Sequence, residues 1–409
     1  MRPALWSVVI QAAGSAATFA SALLVASQLG LAAQGEFGLL RSWSDAAVTV
    51  AVLGFPQALL HLQYRERAPM AALRAWVGRY VMVLTAVALI VVLVAAALWP
   101  TQHSSRWPAL MPLQVIALAV PLAAAQLLWR SLMLREVGAV PYAAITAAPA
   151  MLVLLGLVPL CLAQRSGGFA WVLFGAAAVS AMLSGALTHR LARRDANRAS
   201  AAWSRRSLWT VSLETGGQSV LTALAPPLVL STASWLGGPL AQVGIVSLGL
   251  HLYQLFGVAA AYVAPMVYDR AARADTGLGG SELLALIRLG VTRRVGFGMV
   301  GVALLALGVM PLLWPAGVAS WVLLGGMAMA GIVSMAVRLL VTLLLARGAF
   351  RPLTLHALGR VLISCALTAA LMRIWPAPVA VPLALMLTEL ALFGWALVLM
   401  RLSLVRVDR

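Results

Sequence analysis

The segment HRLARRDANRASAAWSRR, residues 189–206, is the most charged stretch of the chain and separates two long hydrophobic halves. It carries six arginines, and on each side of it the sequence is dominated by stretches of about 20 apolar residues, the length that an α-helix needs to cross a bilayer. We therefore predict two lobes, one formed by residues 1–195 and one by residues 196–409, each with six membrane-spanning helices.

The composition excludes a soluble globular protein. Hydrophobic residues make up 63% of the 409 positions, charged residues only 10%, and the mean hydropathy is +0.97. A soluble domain cannot hide that much apolar surface, so the sequence predicts an all-α, multi-pass membrane protein. Twelve spans are expected, at about 5–29, 38–62, 79–99, 109–129, 140–163, 169–188, 208–235, 239–267, 289–313, 318–345, 357–376 and 379–400.

The basic residues predict the orientation of these spans. All 29 are arginines, and with the N-terminus inside, 24 fall on the inner side and three on the outer side. Positive residues concentrate on the cytoplasmic side of membrane proteins, so both termini are expected in the cytoplasm. The inner set includes Arg360, which this count places at the inner edge of the span at 357–376. The two remaining arginines, Arg41 and Arg338, lie inside apolar segments.

The net charge of +18 has the same topological explanation. The arginines face the anionic lipids of the inner leaflet, which are the expected partners, and no soluble basic domain is present to bind nucleic acid. Cys161 and Cys365 both lie in apolar segments without metal-ligand spacing, so we expect buried small hydrophobic residues and no metal site.

Short glycine-containing motifs near the start of each half resemble the polysaccharide-type flippases of the multidrug/oligosaccharidyl-lipid/polysaccharide exporter (MOP) superfamily. The motifs are LG at 29–30, GEFG at 35–38 and LGFPQAL at 53–59, followed in the second half by LG at 236–237, VGIVS at 243–247 and AP at 264–265. The resemblance extends to the organisation of the whole chain into six plus six helices with short loops. The motifs of the two halves are also weakly similar to each other in sequence and spacing.

This resemblance implies a V-shaped, two-lobed transporter of the bacterial inner membrane that works by alternating access. The cargo it implies is an undecaprenyl-pyrophosphate-linked oligosaccharide, moved from the inner to the outer leaflet for O-antigen or exopolysaccharide assembly, with polysaccharide assembly proteins as possible partners. Lipid II flippases of the superfamily usually have two additional C-terminal helices, which disfavours that branch for a chain ending at Arg409. The implied protein is not an enzyme and needs no cofactor beyond a coupling ion, H⁺ or Na⁺.

Arg41 and Arg338 are the principal candidates for binding the pyrophosphate. A charge in the membrane is costly, and guanidinium groups bind phosphate oxygens bidentately. Arg41 is expected about one turn into the second span, with Asp45 on the same helix face. A local ion pair or a snorkelling side chain therefore explains an arginine at this position as well as a phosphate-binding role does. Arg338 is expected about 10 Å from the inner end of its span, where snorkelling competes with a cavity-facing position.

Further polar residues within the spans are candidates for sugar binding or ion coupling. Glu214 and Gln218 share one face of the seventh span: Glu214 either neutralises a nearby inner arginine or couples transport to an ion, and Gln218 is a hydrogen-bonding candidate for substrate. His251 and Tyr253 are either structural or substrate-binding. Glu389 is a second ion-coupling candidate, as is Asp45, and the alternative for Glu389 is a protonated side chain on a peripheral helix.

Two other functions remain open at this point. A multidrug or cation antiporter of the same fold would need an acidic cavity, whereas these spans carry charges of both signs. A polysaccharide polymerase or glycosyltransferase would need carboxylates or histidines on sizeable outer loops, and the predicted outer loops are short and nearly free of acids. Pro226 and Pro227 are expected to break the seventh span and to allow bending.

Overall fold

The computed structural model describes residues 2–64, 68–98, 110–137, 139–195, 205–236, 238–273, 318–346 and 350–407, and all regular secondary structure in these ranges is helical. The predicted all-α fold is confirmed. The helices are α1 (Arg2–Leu29), α2 (Leu31–Val52), α3 (Phe55–Tyr64), α4 (Met70–Leu98), α5 (Leu110–Val137), α6 (Ala139–Leu162), α7 (Phe169–Asp195), α8 (Arg205–Trp235), α9 (Leu240–Arg273), α10 (Val318–Ala346), α11 (Phe350–Leu371) and α12 (Ala377–Val407).

These helices account for the predicted spans except 289–313, which lies outside the described residues. Nine of the described helices are long and apolar enough to cross a membrane, or ten spans in all if α2 and α3 count as one. Helix α8 is not in this set, because polar residues such as Glu214 and Gln218 lower its hydropathy. Its 31 residues nevertheless extend about 46 Å, more than the hydrocarbon core requires. The chain is a multi-pass membrane protein.

The second predicted span, 38–62, is wrong in two respects. Helix α2 begins at Leu31, seven residues earlier than predicted, and the span bends by 45° between α2 and α3. At the bend, Leu53 and Gly54 have φ angles of 38° and 75°, in the left-handed region that ends a helix. Pro56 follows in the first turn of α3, where a proline needs no backbone donor.

The bend packs against the first half of α8 through two glycines. A Cβ on Gly54 would collide with backbone atoms of Ser212 and Gly216, and a Cβ on Gly216 would come within 2.7 Å of the Leu53 carbonyl oxygen. The Ser212 hydroxyl donates a hydrogen bond to that same carbonyl. The backbone acceptor freed by the bend is therefore satisfied inside the membrane-spanning region, as an apolar environment requires.

Aromatic side chains fill the space beside the bend. Phe55 is fully buried and meets the rings of Trp76, Tyr80 and Trp209 edge-on, with centroids 4.8–4.9 Å apart. Trp76 and Tyr80 stack on each other, and the Tyr80 hydroxyl donates to the carbonyl oxygen of Ala51, one residue before Val52 ends α2. The bend is thus braced by α4 as well as α8.

The chain divides into two compact units, the first formed by residues 1–29 and 36–223 and the second by residues 30–35 and 224–409. In the first unit α1 packs on α6, and α5 on α4 and α7; in the second, α10 packs on α9 and α12, and α11 on α12. The division falls inside α8, two residues before Pro226. Helix α8 runs through Pro226 and Pro227 without ending, so the expected break is absent.

The start of α2 belongs to the second unit because its backbone lies against the start of α9. Gly35 and Gly244 each occupy the fifth position of their helix, and a Cβ on either would collide with the backbone of the other helix. Gln34 donates its amide to the Ser247 hydroxyl at 3.3 Å beside this contact. The glycine-containing motifs near the start of the two halves therefore contact each other at Gly35 and Gly244.

We expect Gly54→Ala to destabilise the protein by about 1–3 kcal/mol, because an added Cβ is strained at positive φ and collides with α8. Thermal unfolding of the purified protein in detergent measures the effect. Gly78→Ala is the matched control, since a Cβ added at that position meets no atom within 4 Å. Equal melting temperatures for the two variants would contradict this account of the bend.

Topology can be tested at the turn between α6 and α7. Ser166 is exposed in this turn and is predicted to lie outside. In a protein with Cys161 and Cys365 replaced by alanine, a membrane-impermeant maleimide added to intact cells should label Ser166→Cys. It should not label Arg193→Cys, at the exposed, predicted inner end of α7, and the reverse pattern would invert the topology.

Candidate functional sites in the two units

A buried ion pair joins α11 and α12 in the second unit. The Arg360 Nη1 atom lies 2.7 Å from Glu389 Oε1, and Nη2 donates to Oε2 at 3.1 Å, so the contact is bidentate. Only 9% of the Arg360 side chain and 1% of the Glu389 side chain are exposed. Neither charge could remain in this environment without a partner of opposite sign.

Tyr253 of α9 and Ser334 of α10 complete the network around this pair. The Tyr253 hydroxyl donates to Glu389, accepts a hydrogen bond of 3.1 Å from Arg360 and lies 3.0 Å from the Ser334 hydroxyl. Since the Tyr253 proton points to the carboxylate, Ser334 is the donor in their contact. Side chains from four helices, α9 to α12, therefore meet in one buried hydrogen-bond network.

Assigning Arg360 to the inner edge of its span was wrong. It lies ten residues into α11, about 15 Å from the first residue of the helix, and is 8% exposed. Arg360 already lay within the predicted span 357–376, and this position was the sequence signal for an arginine inside the membrane. Its partner, 29 residues away on α12, was not evident from sequence spacing.

Arg338 lies next to this network without a carboxylate of its own. It is eight residues from the end of α10, about 12 Å, close to the predicted depth. Its guanidinium lies against the backbone of Gly257, where an added Cβ would come within 2.7 Å of Cζ. The ionisable groups that act on it are Tyr253, Arg360 and Glu389, and its buried Nε has no hydrogen-bond partner among the described residues.

The charges of this cluster do not cancel. Arg338 and Arg360 contribute two positive charges and Glu389 one negative charge, so the described residues of the cluster have a net charge of +1, and Arg338 is partly buried. Because Glu389 contacts Arg360 through both oxygens, the excess charge resides on Arg338. A guanidinium in this state is suited to binding an anion.

The two polar residues predicted together in α9 have separate environments. Tyr253 belongs to the network just described, whereas the His251 Nδ1 atom lies 2.7 Å from the carbonyl oxygen of Ser247 in the same helix. They are two positions apart and so point to different sides of α9. The structure therefore joins Tyr253, Glu389 and Arg338, three of the predicted residues, and leaves His251 elsewhere.

The first unit contains the second site, formed around Arg41. Because α2 begins at Leu31, Arg41 lies about 15 Å into the helix, and the prediction of one turn was wrong. Its Nη2 donates to the Thr18 hydroxyl at 3.2 Å, and its Nε lies 4.0 Å from an oxygen of Asp45. The buried Nη1 has no hydrogen-bond partner among the described residues.

Arg41 and Asp45 line a half-open cavity of about 290 Å³ between α2, α5, α6 and α7, and the Asp45 side chain is 76% exposed on its open side. Its other polar lining comes from Ser44, Thr49, Gln126 and Ser180, and alanine and valine side chains form much of the remainder. The Ser180 hydroxyl is buried and has no partner among the described residues. Sequence reasoning missed Gln126 and Ser180, because single polar residues in apolar helices carry no local signal.

The predicted pair Glu214 and Gln218 lies in the first half of α8. Glu214 is exposed and Gln218 is partly buried, and neither lines the cavity around Arg41. Among the described residues, no group of three histidine, cysteine or acidic side chains is placed to hold a metal ion. Cys161 is buried in α6, and Cys365 is a partly buried residue of α11.

Comparison with solved structures identifies the fold. An inward-facing multidrug resistance MATE family transporter of the MOP superfamily is similar over 99% of both chains, with a TM-score of 0.68 and 13% identity. The lipid II flippase MurJ, in an inward closed conformation, is similar over 98% of this chain and 90% of its own, with a TM-score of 0.66 and 11% identity. No protein-family model and no curated protein sequence matches the chain.

The protein therefore has the helical fold seen in these MATE and MurJ structures. Identities of 11–13% establish the fold alone. The function has to be inferred from the two sites.

Breaking the Arg360–Glu389 pair from one side should destabilise the second unit strongly. Glu389→Leu leaves two buried guanidiniums without a counter-charge, and we expect a loss of roughly 3–5 kcal/mol. The double variant Glu389→Leu/Arg360→Met removes both charges and should recover most of this loss. Thermal unfolding in detergent compares the variants. A double variant no more stable than the single one would show that the ion pair is not the cause.

Proposed function

We propose that this protein is a flippase for undecaprenyl-pyrophosphate-linked oligosaccharides. It would move the lipid-linked glycan from the inner to the outer leaflet of the bacterial inner membrane by alternating access. The observation that carries the proposal is Arg338, a partly buried arginine whose charge Glu389 does not neutralise because Arg360 already occupies that carboxylate.

The chemistry of the cargo matches this site. A pyrophosphate group crossing the membrane loses its water, and burying its charge without a partner is costly. Arginine stays charged at any accessible pH and presents several donors in a rigid planar arrangement to phosphate oxygens. The excess positive charge on Arg338 supplies the counter-charge for the pyrophosphate.

The fold is compatible with this cargo. One of the similar solved structures is described as a lipid II flippase, so the same arrangement of helices serves a lipid-linked substrate in that protein. Here the proposed cargo class comes from the sequence resemblance to the polysaccharide branch together with the cationic cluster. The polysaccharide assembly proteins expected as partners remain predictions.

A multidrug or cation antiporter is the alternative, and the similarity to a multidrug resistance transporter favours it. Such a function needs carboxylates free to bind cations. Glu389 is held by Arg360 and Tyr253, and the cluster around it repels cations through its net positive charge. Asp45 and Glu214 remain as candidates for coupling to H⁺ or Na⁺.

Replacement of Arg338 tests the proposal in the producing bacterium. In a strain that lacks the chromosomal copy, Arg338→Ala should reduce surface polysaccharide by about tenfold or more, since a lost charged hydrogen bond costs about 1.5–3 kcal/mol. Arg338→Lys should restore part of the amount, because the charge remains without the planar guanidinium. Gly257→Ala should act in the same direction as Arg338→Ala, because the new Cβ displaces the guanidinium.

Two variants serve as controls for these effects. Arg351→Ala removes an exposed arginine at the start of α11, and Gly325→Ala adds a methyl group where no atom lies within 4 Å. Both should leave surface polysaccharide unchanged. Normal polysaccharide from a fully inserted Arg338→Ala protein at wild-type level would refute the phosphate-binding role.

A further inference from the structure

We infer that the cavity in the first unit binds a sugar residue of the cargo, while the Arg338 cluster in the second unit binds its pyrophosphate. This inference rests on the proposed function and changes the role of Arg41, which the sequence suggested as a second phosphate ligand. It assigns Gln126 and Ser180 to the same sugar site.

The first reason is the charge balance of the two sites. Arg41 is accompanied by Asp45, whose oxygen lies 4.0 Å from Nε, so the ionisable groups lining the cavity carry no net charge. The cluster around Arg338 has a net charge of +1. A pyrophosphate is stabilised by the second site, whereas a neutral group with many hydroxyls suits the first.

The second reason is the mixture of hydrogen-bonding groups. A sugar hydroxyl both donates and accepts, so its site needs donors and acceptors side by side. The cavity offers the donor Arg41 Nη1, the acceptor Asp45 and the Ser180 hydroxyl, which can do either. Both Arg41 Nη1 and the Ser180 hydroxyl are buried without a hydrogen-bond partner among the described residues. Buried polar groups in proteins normally have such a partner, and a bound sugar would provide one.

The third reason is size and shape. A cavity of about 290 Å³ lies just below the range for small-molecule sites, about 300–1,000 Å³, so it has room for one sugar ring, and its open side lets the rest of a glycan continue outside it. Ala119, Ala123 and Ala176 keep part of the wall flat and apolar, and such a surface can pack against the C–H face of a sugar ring.

The test uses the purified full-length protein in detergent and two kinds of probe. Saturation-transfer NMR measures binding of glucose, galactose, mannose, N-acetylglucosamine and glucuronic acid, each as the free sugar. Farnesyl pyrophosphate, titrated in the same samples, probes the phosphate site. Thermal unfolding of every variant confirms that the protein is folded.

At least one sugar should bind the wild-type protein, and Asp45→Asn and Ser180→Ala should each weaken its binding about threefold to tenfold, as expected for a lost hydrogen bond. Ser184→Ala is the matched control. Ser184 lies one turn further along α7, is also buried without a partner among the described residues, and does not line the cavity. Farnesyl pyrophosphate binding should fall in Arg338→Gln and stay unchanged in Asp45→Asn and Ser180→Ala.

Two results would overturn the inference while the proposed function stands. One is farnesyl pyrophosphate binding to the wild-type protein without a signal from any sugar. The other is a loss of farnesyl pyrophosphate binding in Asp45→Asn or Ser180→Ala, which would make the cavity part of the phosphate site. Failure of farnesyl pyrophosphate to bind the wild-type protein would instead refute the proposed function.

Discussion

The bidentate contact between Arg360 and Glu389 is the interaction on which the chemistry of the second unit depends. A bilayer offers no water to a buried charge, so each of these groups needs the other. The pair links α11 to α12, and Tyr253 and Ser334 connect it to α9 and α10. Because Glu389 contacts Arg360 through both oxygens, it does not neutralise the charge of the neighbouring Arg338. The ion pair is thus both a structural link and the reason for the cationic character of the site.

In the first unit, polar groups in apolar surroundings also need partners, and hydroxyl groups supply several of them. The bend between α2 and α3 frees a backbone carbonyl, and the Ser212 hydroxyl of α8 satisfies it. Gly54 and Gly216 allow the close approach that this bond requires. Arg41, ten residues after the start of α2, is partly satisfied by Thr18 and Asp45 and opens on a cavity of mixed polarity. The two units therefore present sites of different charge, which is the basis for assigning them different parts of one cargo.

The sequence predicted the helical spans well because apolar length is a local property. The approximate positions of the described helices followed from it, and Arg338 lies about 12 Å from the end of its helix, against a prediction of about 10 Å from the end of its span. The bend at Gly54 was missed, since the apolar run continues through it and the φ angles of Leu53 and Gly54 depend on the contact with α8. Arg360 was placed at the edge of its span, because a count of arginines by side cannot distinguish a flanking residue from one paired inside the membrane.

The amino-acid sequence by itself determined that this chain is a multi-pass helical membrane protein with basic residues mainly beside alternate spans, because transfer into a bilayer depends on each segment's own composition. It also singled out Arg41, Asp45, Tyr253, Arg338 and Glu389 as polar residues in apolar segments. Only the tertiary structure decided which of them are neutralised. That outcome depends on partners contributed by other helices, such as Arg360 for Glu389, and the net charge of a site exists only once those helices pack together.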